Sequence, residues 1–362
     1  MERLKISLLV SLFPLLAFAS RAGEKPAAAR GETFQFVFGK EPLVYSVHQK
    51  VETKTYLYGP PSYSTGAPYA NSRPSSATKT IADVRYKFRL TGLGAGKGGI
   101  TAVRYEPFDH EANFDATGAA GHFLTTIHGL SVKSTQNGIV IADTDKEIGI
   151  AQAKAFKSDA IPVLLSGLFD MNDLGQIKAI HGDLPFIDVW QQMGKTQIGL
   201  FGFQFPGHAV TNGETWQVIV PMKGVGSIKF DGETLNHTNC FSLVEDAADN
   251  DPSIATFKLS APMRCRDLSA SMEERGQNTH ADLSDFDIRA FGMIHFDKKR
   301  HVFVDGDINK TASISMTTLV QGRAVSASTE VDTETEINLL PESGETPTGE
   351  AKPQKPVTRK TL

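Results

Sequence analysis

The chain has 362 residues, with 37 Lys and Arg against 41 Asp and Glu, 32 Gly and 2 Cys. That length suits about two domains with a sizeable core. A net charge of −4 argues against a nucleic-acid binder, and two cysteines exclude a disulfide-dense scaffold, a four-cysteine zinc module and a cysteine-held iron–sulfur cluster.

The first element in chain order reads as a secretory leader. Arg3 and Lys5 precede an apolar run from Ile6 to Phe18, and Ala17-Phe18-Ala19 offers a small-residue cleavage site, with Ser20-Arg21-Ala22 as the alternative. The run is shorter than the roughly 20 residues a bilayer needs, and Pro14 interrupts it. Residues 1–22 are therefore expected to be a signal peptide, with the rest exported to the periplasm or beyond and carrying no transmembrane span. Removing Arg3, Lys5 and Arg21 against Glu2 would leave 34 basic and 40 acidic residues.

Strand signals dominate the chain beyond the leader. Leu43–Leu57 sets Val44, Val47 and Val51 among polar residues. Residues 59–77, dense in Pro, Ser, Gly and Tyr, read as a flexible insertion between strands. Ile81–Leu90 and Ile100–Arg104 alternate around the Gly92–Gly99 stretch and read as a hairpin. Asn137-Gly138 between alternating residues is a stronger hairpin signal, because both positions tolerate positive φ.

Two helices are expected. Residues 144–156 put Ile148, Ala151, Ala155 and Phe156 on one side. Residues 184–193 have Asp183 to cap, Pro185 in the first turn, and Phe186, Val189, Trp190 and Met193 on one face. That stripe either packs as core or lines an apolar pocket, and these four are the candidate ligand-binding residues. Further on, Leu235–Val244 and Ile254–Met263 flank an acidic turn. Cys240 and Cys265 are expected to bond in an oxidising compartment. Their pairing needs a turn centred between Pro252 and Ser253, whereas the turn signal centres nearer Asn250. Residues 341–362 hold too few apolar side chains to offset ordering entropy and are expected to be disordered.

An internal repeat organises the chain. Gly31-Glu32-Thr33-Phe34-Gln35 returns as Gly213-Glu214-Thr215-Trp216-Gln217. In the same order, Phe169-Asp170 leads through an alternating strand to Gly182-Asp183, and Phe296-Asp297 leads likewise to Gly306-Asp307. The reading is a mainly β (α+β) protein of two related curved antiparallel sheets, each with a helix packed on it, occupying 23–202 and 203–340. The Gly-Glu-Thr-Phe strand, Leu168-Phe169-Asp170…Gly175-x-Ile177, and Phe205-Pro206-Gly207-His208-Ala209-Val210 running on to Trp216 carry a resemblance to a family of uncharacterised exported bacterial proteins. That family is similar to the half-barrel folds of periplasmic lipoprotein carriers, in which a curved sheet wraps around helices. The resemblance implies no catalytic residue.

Candidate chemistry is sparse. Gly96-Lys97 lacks the first glycine of a phosphate loop, since Thr91 stands there, and Gly98 replaces its Ser or Thr. His295, Asp297, His301 and Asp305 would share one face of a hairpin and could hold a transition metal, but the same pattern describes the wet face of an ordinary half-buried hairpin. Asp305-Gly306-Asp307-Ile308-Asn309 opens like a calcium loop, then fails at Lys310 and Met316. No metal, cofactor or catalytic set is assigned. The leading expectation is an exported non-enzymatic protein that binds or carries an apolar or extended ligand, or an envelope component, without nucleic acid. The rivals are a metal-assisted hydrolase built on the His295 hairpin and a structural surface protein presenting the Tyr/Pro/Ser insertion.

Overall fold

Alternation of β-branched, hydroxyl and polar residues, read along the chain, builds strands and little else. The structure, a computed structural model, describes residues 31–58, 74–95, 99–151, 153, 166–181, 203–222, 224–225, 228–231, 235–244, 251–274, 277–320 and 323–341. In chain order the strands are β1 (Leu43–Tyr58), β2 (Ser76–Ala95), β3 (Ile100–Gly118), β4 (Gly121–His128), β5 (Ser131–Gln136), β6 (Ile139–Asp143), β7 (Gly167–Asn172) and β8 (Ile177–His181). Then come β9 (Thr215–Met222), β10 (Gly224–Val225), β11 (Ile228–Phe230), β12 (Leu235–Val244), β13 (Ile254–Cys265), β14 (Leu268–Glu274), β15 (Gln277–Asp297), β16 (Val302–Val320) and β17 (Arg323–Leu339). All belong to one antiparallel sheet.

Six long strands form its centre, in spatial order β15-β16-β17-β1-β2-β3. Each flanking long strand forks. β3 pairs with β7 through Ile100–Tyr105 and with β4 through Glu111–Gly118, changing partner beside a register shift where Asp109 adopts φ 52°. β15 does the same: Phe286–Asp297 pair with β13 and Gln277–Leu283 with β14, on either side of a shift at Ser284. Such bulges bend and twist the strands that carry them. The upper arms are β7–β8 on one side and β13–β12–β9 on the other; the lower arms are β4–β5–β6 and β14–β11–β10.

Two irregular segments tie the upper arms together. The Phe36 amide donates to Asp173 O (2.6 Å) beyond β7, and the next amide, Val37, donates to His301 O (3.2 Å) at the β15–β16 turn. Glu32 bridges to Val210, and the Phe205 amide donates to Leu174 O (2.9 Å). Their aromatic residues fill the space between the arms. The Phe203 ring lies 4.6 Å from Phe241 and 5.1 Å from Phe303, and Phe34 lies 5.1 Å from Phe257. A smaller buried group, including Val51, Ala82, Ala112, Ile127, Val132 and Val331, covers the lower half of the inward face.

Several sequence expectations change here. Strands of both halves share a single sheet, so the two separate sheets are not found. The helix expected over 144–156 does not form over its first half, residues 144–149, and residues 152 and 154–156 lie outside the described residues. Thr144–Lys146 is one 3-10 turn capped by Asp143; Glu147 (φ 57°) ends it, and Ile148 bridges back to Asp143. Gly149 (φ +59°) sits so close to Ile141 O that a Cβ would meet it at 2.3 Å, and only then does a helical turn start, with the Ala153 amide donating to Gly149 O. A glycine in that position breaks the helical pattern that the apolar spacing suggested. The helix at 184–193 lies outside the described residues, as does the 59–77 insertion up to residue 73; Ser76 and Ala77 already belong to β2. The tail beyond Pro341 is outside them too.

The hairpin expectations hold. Asn137 (φ 49°) and Gly138 (φ 79°) turn β5 into β6. β2 and β3 pair around the glycine-rich stretch, where Gly92 lets the backbone of Phe38 approach: a Cβ there would lie 2.4 Å from Phe38 O. β12 and β13 pair with Cys240 opposite Ser260, so their register centres on Asn250, where the turn signal lies. That register leaves Cys265 five residues beyond Cys240's partner, about 17 Å along a strand. A disulfide needs Cα atoms within about 7 Å. The cysteines are free thiols, and the expected bond is corrected accordingly.

Candidate functional site

Strand alternation sends every second side chain of the central strands to the inward face. On β1 these are Tyr45, Val47, Gln49, Val51 and Thr53, of which Gln49 is half-buried and the others buried. At the upper end the partners are large: Tyr45 stacks on Phe88 with centroids 5.2 Å apart, and its hydroxyl donates to Phe303 O at 3.1 Å. Burial pushes the Tyr86 and Tyr105 phenols far above their usual range.

Lower down the character changes. Ala290 on β15, Lys310 on β16, Thr333 on β17, Val51 on β1 and Ala82 on β2 stand side by side in one row. The row above contains Ile308, Thr335, Gln49 and Val84, and the row below Ala312, Val331, Thr53 and Thr80. Gln49 Nε2 donates to Thr335 Oγ1 (3.3 Å), and further down Thr55 and Thr329 share a hydroxyl hydrogen bond at 3.3 Å. Thr53 is 4% exposed, and its Oγ1 has no hydrogen-bond partner. Lys310 is half-buried, and loss of hydration around its ammonium lowers its pKa from 10.5 to about 8. Alanines, branched apolar residues, hydroxyls, one amide and one cation thus make up the middle of this face.

The candidate ligand stripe Phe186, Val189, Trp190 and Met193 lies outside the described residues. The His295 hairpin behaves as a wet face. His295 stands opposite Asp305, and Nδ1 hydrogen-bonds its carboxylate; the other two members do not join them. Asp297 instead accepts the Lys299 and Arg300 amides (2.8 and 2.9 Å) within the turn, where His301 adopts φ 60°. Among the described residues no group of three or more His, Cys, Asp or Glu could hold a metal ion. Asp305, Gly306 and Asp307 lie inside β16, where alternation sends the two carboxylates outward and the glycine inward, so no calcium loop forms there. Cys240 and Cys265 have thiol pKa values raised by burial, away from nucleophilic use.

Sequence reading missed Lys310, Gln49, Thr333 and Thr335. A signal existed, since Lys310 is in phase with Ile308, Ala312 and Ile314, and a lysine on the apolar phase of a strand is a buried or functional lysine. Among the described residues no helix is long and apolar enough to cross a membrane.

No family model matches the chain, and no curated protein matches it. Among solved structures it is similar to lipovitellin, from work on lipid–protein interactions, at 8% identity and a TM-score of 0.38, covering 86% of this chain and 27% of that one. The chain thus spans about a quarter of lipovitellin's length. A second similarity is to the P. putida toluene transporter TodX, at 10% identity and a TM-score of 0.13, covering 82% of this chain and 90% of that one. Likeness at this level leaves function to be argued from the chain's own residues.

Proposed function

We propose that this is an exported binding or carrier protein that holds an apolar or extended ligand against the inward face of its sheet. The observation that carries the reading is the change in side-chain size along that face. The upper end is filled by interlocking rings, whereas the middle presents Ala82, Ala112, Ala290 and Ala312 on neighbouring strands. Facing sheet surfaces normally stand about 10 Å apart and need large side chains to fill the gap. Alanines leave that volume to other groups, which bury Ala82, Ala112 and Ala290 here, and a ligand would share it. The stripe Phe186, Val189, Trp190 and Met193 belongs to this proposal as a ligand contact, and export rests on the leader-like residues 1–22.

The test is titration of the purified mature protein with the neutral dye N-phenyl-1-naphthylamine. Saturable fluorescence enhancement is expected, and Ala312→Leu, which adds bulk to the inward face, should weaken it severalfold while the melting temperature moves little. Absence of saturable binding in the wild type would mean that the chain's own residues fill the space, and would end the carrier reading. N-terminal sequencing of the protein from its native envelope fraction should start at Ser20 or Gly23; a start at Met1 rejects export by a cleaved leader.

A further inference from the structure

We infer that the joint between β16 and β17 is a proton-operated clasp. Asp307 and Glu336 repel across it at neutral pH and share a proton on mild acidification, which tightens the last strand into the sheet. The register places the two residues directly opposite each other on the outward face. Side chains so placed have Cβ atoms about 5 Å apart, and like charges there weaken the ladder. The joint has consequences beyond itself, because β17 connects β16 to β1 and so keeps the end of the chain paired with its beginning.

Carboxylates crowd this part of the face. Asp305 is the neighbouring outward residue on β16 and Glu334 on β17. Lower down, Asp332 opposes Glu52 of β1 as a second like-charge pair, relieved there by Lys54 and Lys79 at 2.9 and 3.0 Å from Glu52. The first pair has no such relief: among the described residues neither Asp307 nor Glu336 forms an ion pair with a lysine or arginine. On β2, Arg85 turns to Asp83 (3.4 Å) and Lys87 to Asp109. On β1, His48 has Nε2 3.2 Å from Asp83 and Nδ1 3.9 Å from Glu336, and Lys50 stands one row down between Glu334 and Asp83. On β15, Met293 lies opposite Asp307, His295 bonds Asp305, and Arg289 turns to Asp287 (3.0 Å). Beyond it on β13, Thr256 and Lys258 are in register with His295 and Met293.

Loss of hydration, and then the like charges of Glu336 and Asp305, push the Asp307 carboxyl above the usual carboxylate range, with His295 acting the other way. A carboxyl whose charged form is disfavoured by folding weakens the fold above its folded range, and acidification through that range removes the penalty. Protonated Asp307 is also a donor, able to give a charge-assisted hydrogen bond to the Glu336 carboxylate. Repulsion thus becomes attraction. When His48 and His295 carry charge, they act in the same direction from the two flanks. Glu52, Asp109, Glu214, Asp251 and Asp285 act oppositely, since hydrogen bonds hold each below the usual range. Their stabilisation is lost only below about pH 4.5, which leaves the interval above pH 5 to the clasp.

The experiment is amide hydrogen exchange of the β16–β17 ladder in the full-length protein at pH 7.5 and pH 5, corrected for the intrinsic effect of pH. Protection around Asp307 and Glu336 is expected to rise about two- to fivefold at the lower pH in the wild type. Asp307→Asn cannot ionise, and Glu336→Gln removes the opposing charge. Each should already show raised protection at pH 7.5 and lose most of the response to acid. No rise at the joint in the wild type, or a rise that survives unchanged in either folded variant, would overturn the clasp. So would lower protection at pH 7.5 in Asp307→Asn, or a variant that circular dichroism shows to be unfolded, because removing a repulsion should stabilise.

Discussion

Lys310 is the residue whose energetics can be read most directly. Its folded pKa of about 8 lies below the free value of 10.5, so the folded state disfavours the charged form. Between those two values the unfolded chain holds more protons than the folded one, and stability therefore rises with pH over that interval. Below about 8 the full penalty applies, of order 3 kcal/mol from the size of the shift. Lys310→Met is expected to raise stability at pH 7 by up to about that amount and to abolish the rise between pH 8 and 10.5. Urea denaturation of ligand-free protein across that range checks it; a wild type that loses stability from about pH 8 to 10 would contradict the sign. In the aromatic group the expectation runs the other way. Phe203 is fully buried among Phe205, Trp216, Phe241, Phe257 and Phe303, and Phe203→Ala should cost about 3–5 kcal/mol in the same assay.

Among the elements, the β12–β13 hairpin shows how a turn overrules a covalent expectation. Its register centres on Asn250 and places Cys240 beside Ser260 and Cys265 beside Phe286. The compartment argument for a bond was sound as chemistry, but strand pairing sets distance in steps of about 3.3 Å, and five steps cannot be bridged. Two thiols per chain should react with a maleimide after denaturation without reductant, and Cys240→Ser with Cys265→Ser should show no loss of a cross-link's stabilisation. The β2–β3 hairpin offers a second test. Gly92→Ala would drive a methyl group into Phe38 O, 2.4 Å away, and is expected to destabilise by about 1–3 kcal/mol.

At the scale of the whole molecule, the last strand joins the first. β17 pairs with β1 from Tyr45–Leu339 to Tyr58–Ser326 and with β16 on its other side. Strands from both halves of the chain therefore depend on one another. Ending the chain before Arg323 would expose the ladder edges of β1 and β16 together, and such a chain is expected to aggregate rather than fold. Full-length protein should unfold in one transition, with tryptophan fluorescence and far-ultraviolet circular dichroism coinciding. Two separated transitions would show that the halves are independent after all.

Much of the local structure was legible without coordinates, for identifiable reasons. The Asn137-Gly138 turn, the β2–β3 pair and the β12–β13 hairpin are all short-range, and their alternation and turn residues act within a few positions. Both Phe-Asp segments lie on hairpins, β7–β8 and β15–β16, with Phe169 and Phe296 buried, but at different places in the sheet, since β7 is an arm of β3 and β15 is itself a forked long strand. The joining of all strands into one sheet was not legible, because the β1–β17 pairing links residues nearly 300 positions apart and leaves no local trace. The inward direction of Lys310 was half legible. Its phase with Ile308 and Ala312 is in the sequence, but which phase of β16 faces inward is decided by bulges at Ser284 and His295 and by the neighbours those bulges bring alongside. A strand's own residues determine that it has two faces; only the rest of the fold determines which of them is kept from water.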